Sequence, residues 1–143
     1  MARRKQESDG GDTRIVVFYC QHTVSDLTRI DPITDRAEGL YVKPVMLTCS
    51  SKIQVSHLLA ILDGQAEGVE VVACPKRGCR FLTGSTMAEK RIIHARGLLE
   101  EIGVSGERLG ISWKSGLSAD ALVHLARLRA RAIQELDGKE GNA

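Results

Sequence analysis

Each of the four cysteines in this chain stands at or just beyond the end of an apolar run, and that recurrence restricts the fold more than any other feature. Ile15-Val16-Val17-Phe18-Tyr19 leads directly into Cys20, and Val42 to Leu47, interrupted only at Lys43 and Pro44, leads into Thr48 and Cys49. Val71-Val72-Ala73 leads into Cys74, with Cys79 at the far side of the short loop Pro75-Lys76-Arg77-Gly78. Continuous β-branched and aliphatic runs of this length read as strands covered on both faces, the signature of a parallel sheet. In such a sheet the carboxyl ends of neighbouring strands lie along one rim, where ligands bind. Thiols far apart in the sequence are therefore expected to meet at one point.

The segments between the runs supply the helices. Ser51 with Gln54, and Thr86 with Glu89, match the capping-box pattern and predict helices from Lys52 to about Asp63 and from Met87 to Ile102. On the first, Ile53, Leu58, Ile61 and Leu62 share a face and Gly64 is the stop; on the second, Ile92, Ala95, Leu98, Leu99 and Ile102 recur at helical intervals and Gly103 is the stop. The first of these starts would place Cys49 just ahead of a helix amino end, where a thiolate is favoured. Ser118 is expected to cap a last helix reaching about Leu136, with Leu122, Leu125, Leu128 and Ile133 turned inward. Strands are predicted at Arg14–Tyr19, Leu40–Leu47, Val69–Ala73 and Gly106–Trp113. Val24 to Ile30 reads as a short helix, and Asp31-Pro32 through Gly39 as a loop.

This order predicts an α/β, flavodoxin-like, doubly wound parallel sheet of about four strands. One domain is expected over residues 14–137, between a polar disordered arm at 1–13 and a disordered tail at 138–143. At 143 residues the chain is long enough for one sizeable core, and with only 3% aromatic residues that core should be aliphatic. A formal charge of +2, without a basic run interleaved with aromatics, argues against a nucleic-acid partner. No apolar run approaches the roughly 20 residues that span a bilayer, and Met1 to Asp12 is polar, so a cytoplasmic protein is expected. In that compartment four cysteines point to metal or redox chemistry before disulfides.

Four thiols satisfy either four-coordinate zinc or a 2Fe-2S cluster, whose irons take two protein ligands each. Structural zinc favours two close pairs, whereas here only Cys74 and Cys79 are close, at a spacing also found in plant-type ferredoxins. Lys76, Arg77 and Arg80 lie in or beside that loop, and Ser50, Ser51 and Gly78 are candidate donors to sulfur; positive charge and such donors raise a cluster's potential. The same three basic residues also fit a solvated loop or a docking patch. Cys74 and Arg80 match a second pattern, the cysteine and arginine of the phosphate loop in low-molecular-weight phosphatases and arsenate reductases. That reading leaves Cys20, Cys49 and Cys79 without a task, and Phe81 stands where those enzymes carry Ser or Thr. His57, His94 and His124 fall inside predicted helices, and only His22 is near a strand-end cysteine. No Rossmann or Walker fingerprint is present.

Over Arg14 to about Gly116 the chain resembles the iron-sulfur delta subunit of methyl-viologen-reducing hydrogenases. The resemblance rests on the strand leading to Cys20, on Val45-Met46-Leu47-Thr48-Cys49, and on Ala73-Cys74-Pro75-Lys76-Arg77-Gly78-Cys79-Arg80. It continues through Ala88-Glu89-Lys90-Arg91, Leu98-Leu99-Glu100-Glu101-Ile102-Gly103, and Glu107-Arg108-Leu109 up to Ser112-Trp113. It implies a non-catalytic electron-transfer subunit of an anaerobic oxidoreductase complex, with a 2Fe-2S cluster held by Cys20, Cys49, Cys74 and Cys79. The implied partners are a hydrogenase, formate dehydrogenase or other redox module, and a flavin-containing heterodisulfide-reductase-like subunit. One departure stands out: the family's first segment often reads Cys-Cys-Asn-Trp-Cys, and here it is Tyr19-Cys20-Gln21-His22-Thr23, so Thr23 replaces a family cysteine.

Overall fold

The computed structural model describes residues 13–24, 30–35, 39–48, 52–75 and 84–141. Strand β1 (Thr13–Cys20) is the centre of the sheet, and from Ile15 to Cys20 every residue is buried. It pairs in parallel with β3 (Leu40–Leu47) on one side and with β4 (Gly68–Ala73) on the other. Beyond β4 lies β5 (Leu109–Trp113), again parallel. The apolar runs form strands because both of their faces are covered, each buried Val or Ile contributing about 1.5–3 kcal/mol relative to exposure.

The far edge carries a strand that sequence reasoning placed in a loop. Ile33–Asp35 (β2) folds back antiparallel on Leu40 to Val42, so among the described residues the sheet has five strands in the order β2-β3-β1-β4-β5. Four of them, β3, β1, β4 and β5, are the expected parallel set. Because β2 pairs only with Leu40 to Val42, Pro44 sits past its reach, where a missing N–H breaks no bond to that neighbour. The predicted helix at Val24–Ile30 lies mostly outside the described residues; Val24 itself makes a parallel bridge to Leu117.

Side chains alternate along β1, and the two faces take different helices. Val16 and Phe18, with Val69 and Val71 of β4, face α1 (Val55–Leu62) and α2 (Gly84–Glu101), where they meet Leu58, Ile61, Ile92, Ala95 and Leu99. Ile15, Val17 and Tyr19, with Val42 and Val72, face α3 (Ala119–Gly141) through Leu122, Val123, Ala126, Ala130 and Ile133. Gly68 lets α3 come close, since a Cβ there would lie 2.3 Å from the Ile133 Cδ1.

The helix limits differ from the predicted ones. α1 opens at Val55, with Gln54 as its N-cap and no side-chain cap bond, so Gln54 does not serve as the third residue of a capping box; Ser51 lies outside the described residues. α2 opens at Gly84, ahead of Thr86, which sits within the helix and not at its cap. Its end is as expected: Gly103, at φ 82, follows the last turn, but Ile102 falls beyond the helix and is 74% exposed. Ser118 does cap α3, its hydroxyl accepting from the Ala121 amide at 3.2 Å. α3 continues past Leu136 to Gly141, and Leu128, expected inside, is 47% exposed. Six residues beyond Leu122 is a rotation of about 240°, which carries Leu128 to the outer side, while Ala126 and Ala130 fill the inner one.

Candidate metal centre at the strand-end rim

From β1 in the middle of the sheet the path steps outward to β3, then returns across β1 to β4 and on to β5. The reversal falls between β1 and β4, which makes their carboxyl ends the switch point where doubly wound sheets open a ligand crevice. Cys20 is the last residue of β1 and Cys74 immediately follows β4. Both are buried, at 3% exposure, and their sulfurs are 3.7 Å apart.

The turn after β1 is fastened on three sides. Thr23, wholly buried, donates both its amide N–H at 2.9 Å and its hydroxyl at 2.6 Å to the Cys20 carbonyl. Gln21 donates its amide N–H to the Leu47 carbonyl at 2.8 Å, tying the turn to the end of β3. Its side-chain amide reaches the Thr48 carbonyl at 3.5 Å, and the Cys20 thiol lies 3.9 Å from the same oxygen. On the opposite side Leu117 donates to the Thr23 carbonyl at 2.8 Å. Next to Cys74, the amide of Lys114 donates to the Ala73 carbonyl at 3.0 Å, placing an exposed cation's backbone at this rim. Gln21 and Lys114 were not singled out from the sequence, although a polar residue directly after a strand end is the signal that marks rim positions.

Two ligands of one tetrahedral ion with metal–sulfur bonds of about 2.3 Å are separated by about 3.8 Å, which Cys20 and Cys74 match. The pair is not a disulfide, whose sulfurs lie about 2.05 Å apart. Buried, reduced, adjacent thiols are thus a donor set that suits a thiolate-held metal group. Cys49 and Cys79 lie outside the described residues, as do Lys76, Arg77, Arg80, Ser50, Ser51 and Gly78. Among the described residues no three His, Cys, Asp or Glu side chains converge. His57, His94 and His124 are exposed on their helices, as expected, and His57 meets Phe18 edge to face, 5.7 Å between ring centroids. A groove of about 480 Å³ lies elsewhere, between α1 and the β1–β3 face, lined by Arg14, Tyr41, Lys43, Val45 and His57 among others.

A flavodoxin-ordered sheet with a buried thiol pair at its switch point defines an α/β protein built to present cysteines at one rim. The chain belongs to the methyl-viologen-reducing hydrogenase delta subunit family, whose sequence profile matches residues 15–137. It is 30% identical over 125 residues to the vhu iron-sulfur subunit of the F420-non-reducing hydrogenase from Methanocaldococcus jannaschii, a match covering 87% of this chain and 93% of that one. It is also 30% identical over 95 residues to the protein of the same name from Methanopyrus kandleri, covering 66% and 72%. A different context appears in a much longer subunit of the ferredoxin:CoB-CoM heterodisulfide reductase from Methanosarcina mazei: 25% identity over 118 residues, covering 82% of this chain but 14% of that one. Among the described residues no helix is long and apolar enough to cross a membrane.

Proposed function

We propose that this chain is a one-electron relay whose Cys20, Cys49, Cys74 and Cys79 hold a 2Fe-2S cluster at the strand-end rim. It stands between a hydrogenase, formate dehydrogenase or other redox module and a flavin-containing heterodisulfide-reductase-like subunit, in a cytoplasmic complex of anaerobic metabolism, with no substrate reaction of its own. The observation that carries this reading is the buried Cys20–Cys74 pair, 3.7 Å apart at the switch point. The hydrogenase relatives named as iron-sulfur subunits support the cofactor class. The match to a small part of a heterodisulfide reductase polypeptide supports the partner, because that relative carries a module of this kind within its own chain.

A cluster so held supplies reversible one-electron exchange. The residues around it do the rest: Gln21 and Thr23 fix the Cys20 turn, so that little rearrangement accompanies a change of charge, and Tyr19 and Ala73, the residues before the two thiols, are buried and anchor both strand ends in the core. The phosphatase reading finds less support. A thiol nucleophile needs access to its substrate, whereas Cys74 is buried against a second thiol, and α2 opens only at Gly84, beyond Arg80.

The test is anaerobic purification followed by iron and acid-labile sulfide assays and by electron paramagnetic resonance after dithionite reduction. Equal amounts of iron and sulfide, with a signal appearing on reduction, are expected. Zinc without iron would replace this reading by a structural site, and a metal-free protein with oxyanion-inhibited phosphatase activity would replace it by the Cys74–Arg80 reading. Co-purification with the reductase and hydrogenase subunits tests the relay; turnover of a small substrate by the isolated chain would end it.

A further inference from the structure

α2 turns Ala88, Ile92, Ala95 and Leu99 to the core, and on its other side Glu100 Oε1 lies beside Gly106, at the carboxyl-terminal end of that side. That side carries Lys90, Ile93, His94, Gly97, Glu100 and Glu101, all exposed, with Ile93 at 63%. Gly97 lies at the middle of it. A Cβ added there would meet no atom within 4 Å, and its backbone is not in the left-handed region. Glycine in a helix interior is destabilising relative to alanine, and nothing among the described residues asks for it. The residual physical use of such a glycine is to let another backbone approach.

We propose that this face pairs α2 with α2 of a second copy of the chain, antiparallel about a two-fold axis near Ala95. A two-fold contact must be self-complementary, and the order of residues along the face has that property. Ile93 of one copy falls over Gly97 of the other, a projecting side chain into a gap, and the contact occurs twice. Lys90, in the amino-terminal half, falls beside Glu100 and Glu101 in the carboxyl-terminal half of the second copy. Parallel pairing would instead set like charges together. Met87 and Ile102, 40% and 74% exposed, flank the two ends and come together in the same arrangement. One helix pair is a small contact, at the lower end of stable interfaces, so the association is concentration-dependent. It is independent of the thiol rim, and it goes beyond the relay reading by giving the chain a partner in itself.

Sedimentation equilibrium of the full anaerobically prepared chain, with and without bound iron, tests this over a wide concentration range. The average mass is expected to climb from one chain towards two. Ile93→Glu and Gly97→Leu should each weaken association roughly tenfold or more, as loss of a central contact does, and Gly97→Leu should do so while leaving thermal stability unchanged or raised. Lys90→Glu should also weaken it, and combining Lys90→Glu with Glu100→Lys and Glu101→Lys should restore it. A chain that stays monomeric at every concentration, one whose association is indifferent to Ile93→Glu and Gly97→Leu, or one that uses this face only for a different protein, overturns the proposal. Loss of iron binding with dimerisation intact would sink the cluster reading and leave this one standing.

Discussion

Strand β4 holds a buried carboxylate in its middle and is followed at once by a buried thiol, and the two are answered in opposite ways. Glu70, in mid-strand and 2% exposed, receives a hydrogen bond from Arg129 Nε at 2.8 Å and another from the Ser112 hydroxyl at 2.6 Å. Arg129 in turn donates to the Glu107 carbonyl at 2.9 Å. Gly110 makes room for it: a Cβ there would sit 1.8 Å from Arg129 Nη2. This is a charge closed off inside the chain, with its partners supplied by β5 and α3. Cys74, one residue past the strand, lies instead against the thiol of Cys20 at the rim. The first arrangement fixes how α3 seats on the sheet; the second sets two thiols at the place where this topology takes up ligands.

Substitution separates the two. Cys74→Ala removes one buried sulfur without leaving a polar group in its place and should lower the unfolding free energy of the metal-free chain by about 1–2 kcal/mol, yet abolish iron binding outright. Iron and sulfide assays beside urea titrations decide it, and retention of full iron content would remove Cys74 from the ligand set. Glu70→Ala should do the reverse. It leaves a guanidinium that is largely shielded from water, with 18% of its side chain exposed, without its carboxylate. Breaking a buried pair in this way costs about 3–5 kcal/mol, reduced here because Glu107 remains 3.8 Å from Arg129. Iron content per folded chain should stay unchanged. Gly110→Ala tests the same network from the other side: the added methyl must push Arg129 off Glu70, at a cost of about 1–3 kcal/mol. A neutral result would show that Arg129 has another seat.

Which parts could be read in advance follows from the same contrast. The parallel strands were legible because continuous apolar runs have few other uses, and the meeting of Cys20 with Cys74 followed from strand ends sharing a rim. β2 was not legible. Ile33, Thr34 and Asp35 have no pattern of their own beside Pro32 and form a strand only because the edge of β3 offers them bonds. The start of α2 was misplaced because Thr86 and Glu89 are as acceptable inside a helix as at its cap. Leu128 misled because hydrophobicity was weighed ahead of its angular position. The Glu70–Arg129 pair, separated by 59 residues, has no local signature at all.

Thr23 tests where structure ends and site begins. The family resemblance sets it where a cysteine is expected, and here its hydroxyl and amide both donate to the Cys20 carbonyl, and its own carbonyl accepts from Leu117. Thr23→Val keeps the shape and removes only the hydroxyl. The Cys20 carbonyl would still receive the Thr23 amide, so no buried acceptor is stripped bare, and the cost belongs with a single net hydrogen bond, about 0.5–1.5 kcal/mol. Because the turn remains anchored through Gln21 and Leu117, Cys20 should keep its position, and iron content with it. Urea unfolding and iron analysis of the variant give the two numbers needed. A small loss of stability with full iron makes Thr23 a fastener of the turn; a marked loss of iron at the same stability would place its hydroxyl in the metal centre itself.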